Sequence, residues 1–394
     1  MNKIPKLRFK EFSGEWEEKR LEEIFEISKT KYNPLKETKE YPCIELESLS
    51  QETGKILKTF NSLEQKSIKN KFLKNEVLFG KLRPYLKKYW YSNFEGVCSS
   101  EIWVLNSKNN INKFIYYFIQ GENFISLANT TSGTKMPRAD WSLMKNEIFS
   151  IPNIQEQEKI ADFLSSVDKK ISITEEKLDL FKDYKKGIIQ KIFNQELRFK
   201  DSKGNNYPEW ELVTTKEVSK ITMGFTPSTK DESMWNGKYK WLSIADLKEN
   251  GKYIHKTSKT ITDKGIKNKK ILKKGTLIMS FKLTLGRLGI ISEEMFTNEA
   301  ICHFNWNDKN SIDTEYVYYY LNSIDISNFG KQAVKGITLN TESLNSIEIN
   351  LPCLEEQQKI ADFLSSIDNK IDNLTSELEN LKEFKKGLLQ QMFV

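Results

Sequence analysis

The sequence predicts an α+β protein in which two mixed α/β globular domains alternate with two long helices, the whole written as an internal repeat. Three observations predict it. The octapeptide KIADFLSS occupies residues 159–166 and returns at 359–366, a displacement of 359 − 159 = 200 residues. Around each copy, apolar residues recur in alternating steps of four and three, the spacing of a coiled-coil seam. The chain has 394 residues, more than one hydrophobic core usually supports.

The first globular domain is assigned to 1–150. Short β-branched and aromatic runs at 76–79 and 102–105 read as strands, and 112–120 reads as a short helix. The first long helix follows at 151–195, opened by Pro152. Its seam runs Ile160, Leu164, Val167, Ile171, Thr174, Leu178, Phe181, Ile188 and Ile192, with Lys185 at one seam position. The second globular domain, 196–350, has strand patterns at 276–281 and 301–306 and a helical one at 313–322. The second long helix, 351–394, carries Ile360, Leu364, Ile367, Ile371, Leu374, Leu378, Leu381, Leu388 and Met392, with Lys385 where the first has Lys185.

Residues 151–193 align with 351–393 without a gap, and Leu7-Arg8-Phe9-Lys10 recurs as Leu197-Arg198-Phe199-Lys200. Two matched, self-complementary seams predict an antiparallel coiled coil inside one chain, with a pseudo-two-fold internal repeat. At 1.5 Å per residue the rod from Ile360 to Met392 spans roughly 50 Å. Polar seam residues such as Lys185 and Lys385 fix register. Gly187 and Gly387 sit inside these helices, where glycine costs about 1 kcal/mol relative to alanine. They predict a close crossing or a docking point for a partner helix.

The globular segments differ almost everywhere, so a shared scaffold presents unlike faces. Arginine is scarce, six among 61 basic residues, and three of the six lie in loops. In the first domain FGKLRPYLKKYW (79–90) sets Lys81, Arg83, Lys87 and Lys88 among Tyr85 and other aromatics, and SGTKMPR (132–138) adds Thr134, Lys135 and Arg138. In the second, MSFKLTLGRLG (279–289) offers Lys282, Thr284 and Arg287, and VKGITLN (334–340) offers Lys335, Thr338 and Asn340. Cations neutralise phosphates, and arginine, lysine, threonine and asparagine on short loops reach base edges. These residues are the candidate DNA contacts.

Catalytic signatures are missing. There is no phosphate-binding GxxxxGK[ST] loop, no GxGxxG turn and no GxSxG elbow. Asn33-Pro34-Leu35-Lys36 lacks the second proline and the aromatic of an adenine methyltransferase tetrapeptide. Glu22-Glu23 and Glu175-Glu176 read as solvated charge. Cys43, Cys98, Cys302 and Cys353 form no CxxC pair and read as reduced core residues, while Cys302 and His303, adjacent in a strand, point to opposite faces. No metal site and no enzyme activity are expected. With 38% apolar residues and no apolar run near the roughly 18 residues that span a bilayer, a cytoplasmic protein without a membrane partner is expected. The N-terminal MNKIPKLRFKEF carries no secretory pattern.

The paired IP/LP-x3-EQ-x-KIADFLSS-x-D segments at 151–168 and 351–368, with FGKLRPYLKKYW and GVCSSEIWVL (96–105), resemble the specificity subunit of type I restriction-modification systems, over essentially the whole chain. The resemblance implies two target recognition domains, each reading half of a split site in double-stranded DNA, with the helices as spacer. It implies two methyltransferase subunits and two motor-nuclease restriction subunits as partners, the former docking on helix residues such as Ile160, Leu164, Ile171, Gly187, Ile360, Leu364, Ile371 and Gly387. It also places S-adenosylmethionine, ATP and magnesium on those partners and no cofactor on this chain. LTLGRLG stands where the first domain has LRPYLKK, so contacts do not transfer between halves by position. The two unlike half-sites are expected to hold about three to five base pairs each, around a gap of roughly five to eight. Inserting four residues within 170–185 should lengthen that gap. A different class of function, a coiled-coil scaffold with two protein-binding heads, predicts no salt-dependent DNA binding.

Overall fold

The computed structural model describes residues 3–130, 136–266, 268–282, 284–333 and 336–394. The chain forms two compact units, one of Met1–Glu176 with Thr375–Val394, the other of Lys177–Leu374. Each unit therefore holds one globular domain, the first part of the helix that follows it, and the last part of the other long helix.

In the first unit, β1 (Phe25–Ile27), β2 (Val77–Gly80), β3 (Tyr89–Tyr91) and β4 (Ile102–Ser107) form an antiparallel sheet in the order β1-β4-β2-β3. Its strands read as continuous apolar runs because both faces are covered. Val77, Phe79, Trp103 and Leu105 enter a core shared with α1 (Asn112–Phe118), while Leu78, Ile102 and Val104 enter a second core beneath a five-stranded mixed sheet. The 76–79 run is thus a strand shifted by one residue. Glu17–Arg20 pairs antiparallel with Ile148–Ile151, so the start of the domain is closed onto its end. From there the chain passes Pro152 into α2 (Ile154–Phe193). Asn153 caps the helix, its Oδ1 accepting from the Glu156 amide at 2.9 Å.

The second unit repeats the plan. β5 (Ser219–Met223), β6 (Leu277–Ser280), β7 (Leu288–Ile291) and β8 (Ile301–Trp306), with Tyr253–Ile254 at the edge, follow the order β5-β8-β6-β7-edge. Leu277, Met279, Cys302 and Phe304 face a core with α3 (Thr314–Ser323), and Ile278 and Ile301 face another. Glu211–Thr214 pairs with Glu348–Leu351 and leads into α4 (Leu354–Met392).

The seam is as the heptads predict. Ile160, Leu164, Val167, Thr174, Leu178 and Ile192 are buried in α2, and Ile360, Leu364, Ile367, Leu374, Leu388 and Met392 in α4, with Ile171 and Ile371 half-buried. Each buried aliphatic side chain stabilises by about 1.5–3 kcal/mol against exposure. Within the first unit the helices pack antiparallel: Asp168 meets Lys385 and, one heptad on, Glu175 meets Lys382. In the second unit Lys185 meets Asp368, the same repeat positions with the copies exchanged.

Three expectations change. An added Cβ at Gly187 meets nothing within 4 Å, and at Gly387 only Gln391 Nε2 at 3.8 Å, so no close crossing within either unit demands glycine. Cys353 is exposed, whereas Cys43, Cys98 and Cys302 are buried. Glu175 is not free solvated charge. Burial would raise its pKa, but hydrogen bonds from Lys382 and Lys55 outweigh it and lower it.

Candidate nucleic-acid interface

The near-identity of the repeats has a local cause: those residues bolt each globular domain to its own helix. Arg8 grips Glu156 with both fork nitrogens, Nε to Oε1 at 2.7 Å and Nη2 to Oε2 at 2.8 Å. Arg198 grips Glu356 in the same way at 3.1 and 2.9 Å. Both carboxylates are fully buried, and a buried charge is tolerated only when paired. Gln157 donates to the Pro152 carbonyl and accepts from the Ile111 amide; Gln357 does the same with Pro352 and Asp313. Phe9 meets Phe163 edge to face at 5.6 Å, and Phe199 meets Phe363 at 5.5 Å. The repeated LRFK motif is therefore scaffold, and two of the scarce arginines are spent on it.

Against that fixed frame, the first unit's loop leaves β2 and turns back into β3. Arg83 (φ 52°, ψ 62°) and Lys87 (φ 48°, ψ 51°) both adopt the left-handed conformation and flank a single 3-10 turn, Pro84–Leu86. For a non-glycine residue this costs about 1–2 kcal/mol, so surrounding contacts must impose it. They are present: the Arg83 amide donates to the Pro137 carbonyl at 2.8 Å, Lys81 to Glu101 at 2.9 Å, Ala139 to Lys81 at 2.8 Å, and Glu52 to Lys87 at 3.0 Å. The structure thus joins 81–88 and 136–139, two segments the sequence selected separately.

The side chains sort into different states. Arg83 and Tyr85 are exposed and Lys81 half-buried. Lys87 is paired with Glu122 at 3.1 Å and approaches Glu52 at 3.8 Å. Lys88 Nζ donates to the Leu46 carbonyl at 2.7 Å, and burial lowers its pKa. Arg138 holds Glu101 bidentately at 3.1 and 3.2 Å. Thr134 and Lys135 lie outside the described residues. Glu45, Leu46, Glu47 and Met136, which the sequence did not mark, join Leu82, Arg83, Leu86 and Lys88 around an open concavity of about 580 Å³.

The second unit's loop is built otherwise. Ser280 organises it, its Oγ receiving the Arg287 amide at 3.1 Å and donating to the Thr284 carbonyl. Gly286 has φ 73° and donates to the Ser280 carbonyl. Lys282 is exposed, its Nζ 5.2 Å from the Phe281 ring centroid, and Thr284 and Arg287 are half-buried. Thr338 ends the strand Gly336–Thr338, paired with Lys331–Ala333. Asn340 caps Thr341–Asn345, its side chain accepting from the Ser343 amide at 2.8 Å, so its oxygen is occupied. Lys335 lies outside the described residues.

Two further signals were available in the sequence and missed. Gly54-Lys55 recurs as Gly251-Lys252, and Ile68-Lys69-Asn70-Lys71 recurs as Ile266-Lys267-Asn268-Lys269. Lys55 pairs with Glu175 on α2, and Lys252 donates to Ser365 on α4 at 2.8 Å and to Glu315 at 2.5 Å, so this motif also ties domain to helix.

His303 lies between two threonines, Nδ1 3.1 Å from Thr222 Oγ1 and Nε2 2.6 Å from Thr297 Oγ1, and burial lowers its pKa to about 4. Cys302 faces the other core, as alternation requires. Among the described residues no group of three or more His, Cys, Asp or Glu side chains could hold a metal ion, and no helix is long and apolar enough to cross a membrane.

The type I restriction modification DNA specificity domain family matches residues 13–181 and again 207–383. The type I restriction enzyme MjaVIII specificity subunit of Methanocaldococcus jannaschii is 28% identical over 75% of this chain and 73% of its own. The putative MjaX specificity subunit of the same organism is 25% identical over 96% and 93%. In fold, the chain is similar to the S subunit of the type I restriction-modification system of M. genitalium, with a TM-score of 0.61 at 17% identity and 99% of each chain covered. It is also similar to the HsdS subunit of Thermoanaerobacter tengcongensis, with a TM-score of 0.51 at 19% identity and 96% of each chain covered. With two copies of the family's domain on two long helices, the chain belongs to the type I restriction-modification DNA specificity family, as a specificity subunit.

Proposed function

We propose that each globular domain reads one half of an interrupted, asymmetric site in double-stranded DNA, and that the helix pair sets the gap. The observation that carries this is the contrast between scaffold and loops. The bolts Arg8–Glu156 and Arg198–Glu356 recur residue for residue, whereas the loops diverge: Arg83–Lys88 reads RPYLKK around left-handed Arg83 and Lys87, and Thr284–Gly289 reads TLGRLG and is held by the Ser280 hydroxyl. A duplicated frame with unlike loops suits a reader of two different sequences, since phosphate contacts position and loop side chains specify.

On this reading the chain is a non-catalytic cytoplasmic component. Two modification subunits bind its helices and two restriction subunits join them, with S-adenosylmethionine, ATP and magnesium held by those partners. Mapping methylated adenines genome-wide in cells with and without this chain tests it. The proposal requires a chain-dependent motif of two unlike halves around a fixed gap; a continuous or palindromic motif, or none, overturns it.

A further inference from the structure

Of the basic side chains gathered by the first unit's loop, one arginine fork is left uncommitted. Lys87 is held by Glu122, Lys88 by the Leu46 carbonyl and Arg138 by both oxygens of Glu101. Arg83 is exposed, and its guanidinium has no ion-pair or hydrogen-bond partner among the described residues. Yet its backbone is held in place. It is left-handed, starts the Pro84–Leu86 turn, and is clamped through its amide to Pro137. A fixed Cα with a free fork is preorganised for contact, because little chain entropy is lost when the fork engages.

The surroundings select the kind of contact. A phosphate would accept any cation, but Glu45 and Glu47 line the same concavity as Arg83, and carboxylates there repel a phosphate backbone. They suit the major-groove edge of a G·C pair, which shows guanine O6 and N7 as paired acceptors and the cytosine amino group as a donor. The planar guanidinium matches the first two and a carboxylate the third. Glu45 is tied to Lys69, whereas Glu47 is exposed with its partner Lys58.

We propose that Arg83 is a specificity-determining residue that reads a guanine in one half-site, while Arg138, locked to Glu101, positions the loop. This rests on the DNA-reading function above. The test maps methylated sites in cells carrying the full system with wild-type chain, Arg83→Ala or Arg83→Lys. In Arg83→Ala a single G·C position of one half-site should lose about 5- to 150-fold discrimination, and in Arg83→Lys, which keeps the charge but not the planar fork, the same position should lose a smaller share, with the other half-site and the gap unchanged in both. A variant motif identical to wild type overturns the assignment, as does a uniform weakening of methylation in both variants with base preference unchanged, which marks a phosphate contact. A wild-type chain that directs no split motif instead overturns the DNA-reading function itself.

Discussion

Lys385 Nζ lies 2.7 Å from Asp168 Oδ1, and Tyr117 donates to the other oxygen of that carboxylate at 2.9 Å. One acidic side chain thus ties α2, α4 and the globular helix α1 together. In the second unit Asp368 joins Lys185 and Tyr319, both at 2.5 Å. Burial first, and then the neighbouring carboxylate, raises the pKa of both tyrosines, so each remains a donor. The lysine on the seam is therefore a register device rather than a flaw in the heptads.

A double-mutant cycle with Asp168→Asn and Lys385→Met should return a coupling of about 1–3 kcal/mol in chemical denaturation. A coupling near zero would show that the pair does not act as a unit.

Arg8→Ala should cost about 3–5 kcal/mol, because Glu156 stays buried with its charge uncompensated. Arg198→Ala should cost the same order, tempered by the Trp210 Nε1–H that still reaches Glu356 Oε2 at 3.0 Å. Urea denaturation of the single variants measures both, and losses under about 1 kcal/mol would mean that the bolts behave like surface pairs.

His303 gives stability a pH dependence with a definite sign. Its folded-state pKa, about 4, lies below the ordinary 6.5, so the unfolded chain binds the proton first as pH falls. The stabilisation is complete above pH 6.5 and is lost as pH drops toward 4. Between those limits the wild type should lose up to about 3 kcal/mol more than His303→Gln. Parallel curves for the two proteins would contradict this.

Gly187→Ala and Gly387→Ala should each raise stability by up to about 1 kcal/mol, since helix propensity improves and the new methyl group meets open space or a flexible Gln391. Leucine at the same positions should leave the chain folded but weaken co-purification of the modification subunit. Unimpaired assembly would remove the docking role.

What was legible from sequence was what long periodic signals encode. Nine seam positions per helix average out local noise, and a fully buried strand such as β2 announces itself by an unbroken apolar run. The candidate loops stand out in the sequence as segments, but which of their side chains are free does not. Arg138 looks as free as Arg83 until Glu101, far along the chain, is brought beside it, and Lys87 looks free until Glu122 arrives. The LRFK repeat was visible, but its purpose required Glu156, 148 residues away. Left-handed Arg83 and Lys87 carry no glycine to advertise them, and it takes the clamps from Pro137 to Arg83 and from Glu52 to Lys87 to explain that backbone.

The central claim is that the paired helices fix the distance between two readers. Adding one heptad to each helix, within 170–184 and within 370–384, preserves the Asp168–Lys385 and Lys185–Asp368 pairs and the phase of the seam while lengthening the rod by about 10 Å, or roughly three base pairs. The methylation motif should keep both halves and gain about three base pairs of gap. An unchanged gap, or altered half-site sequences, would contradict the account.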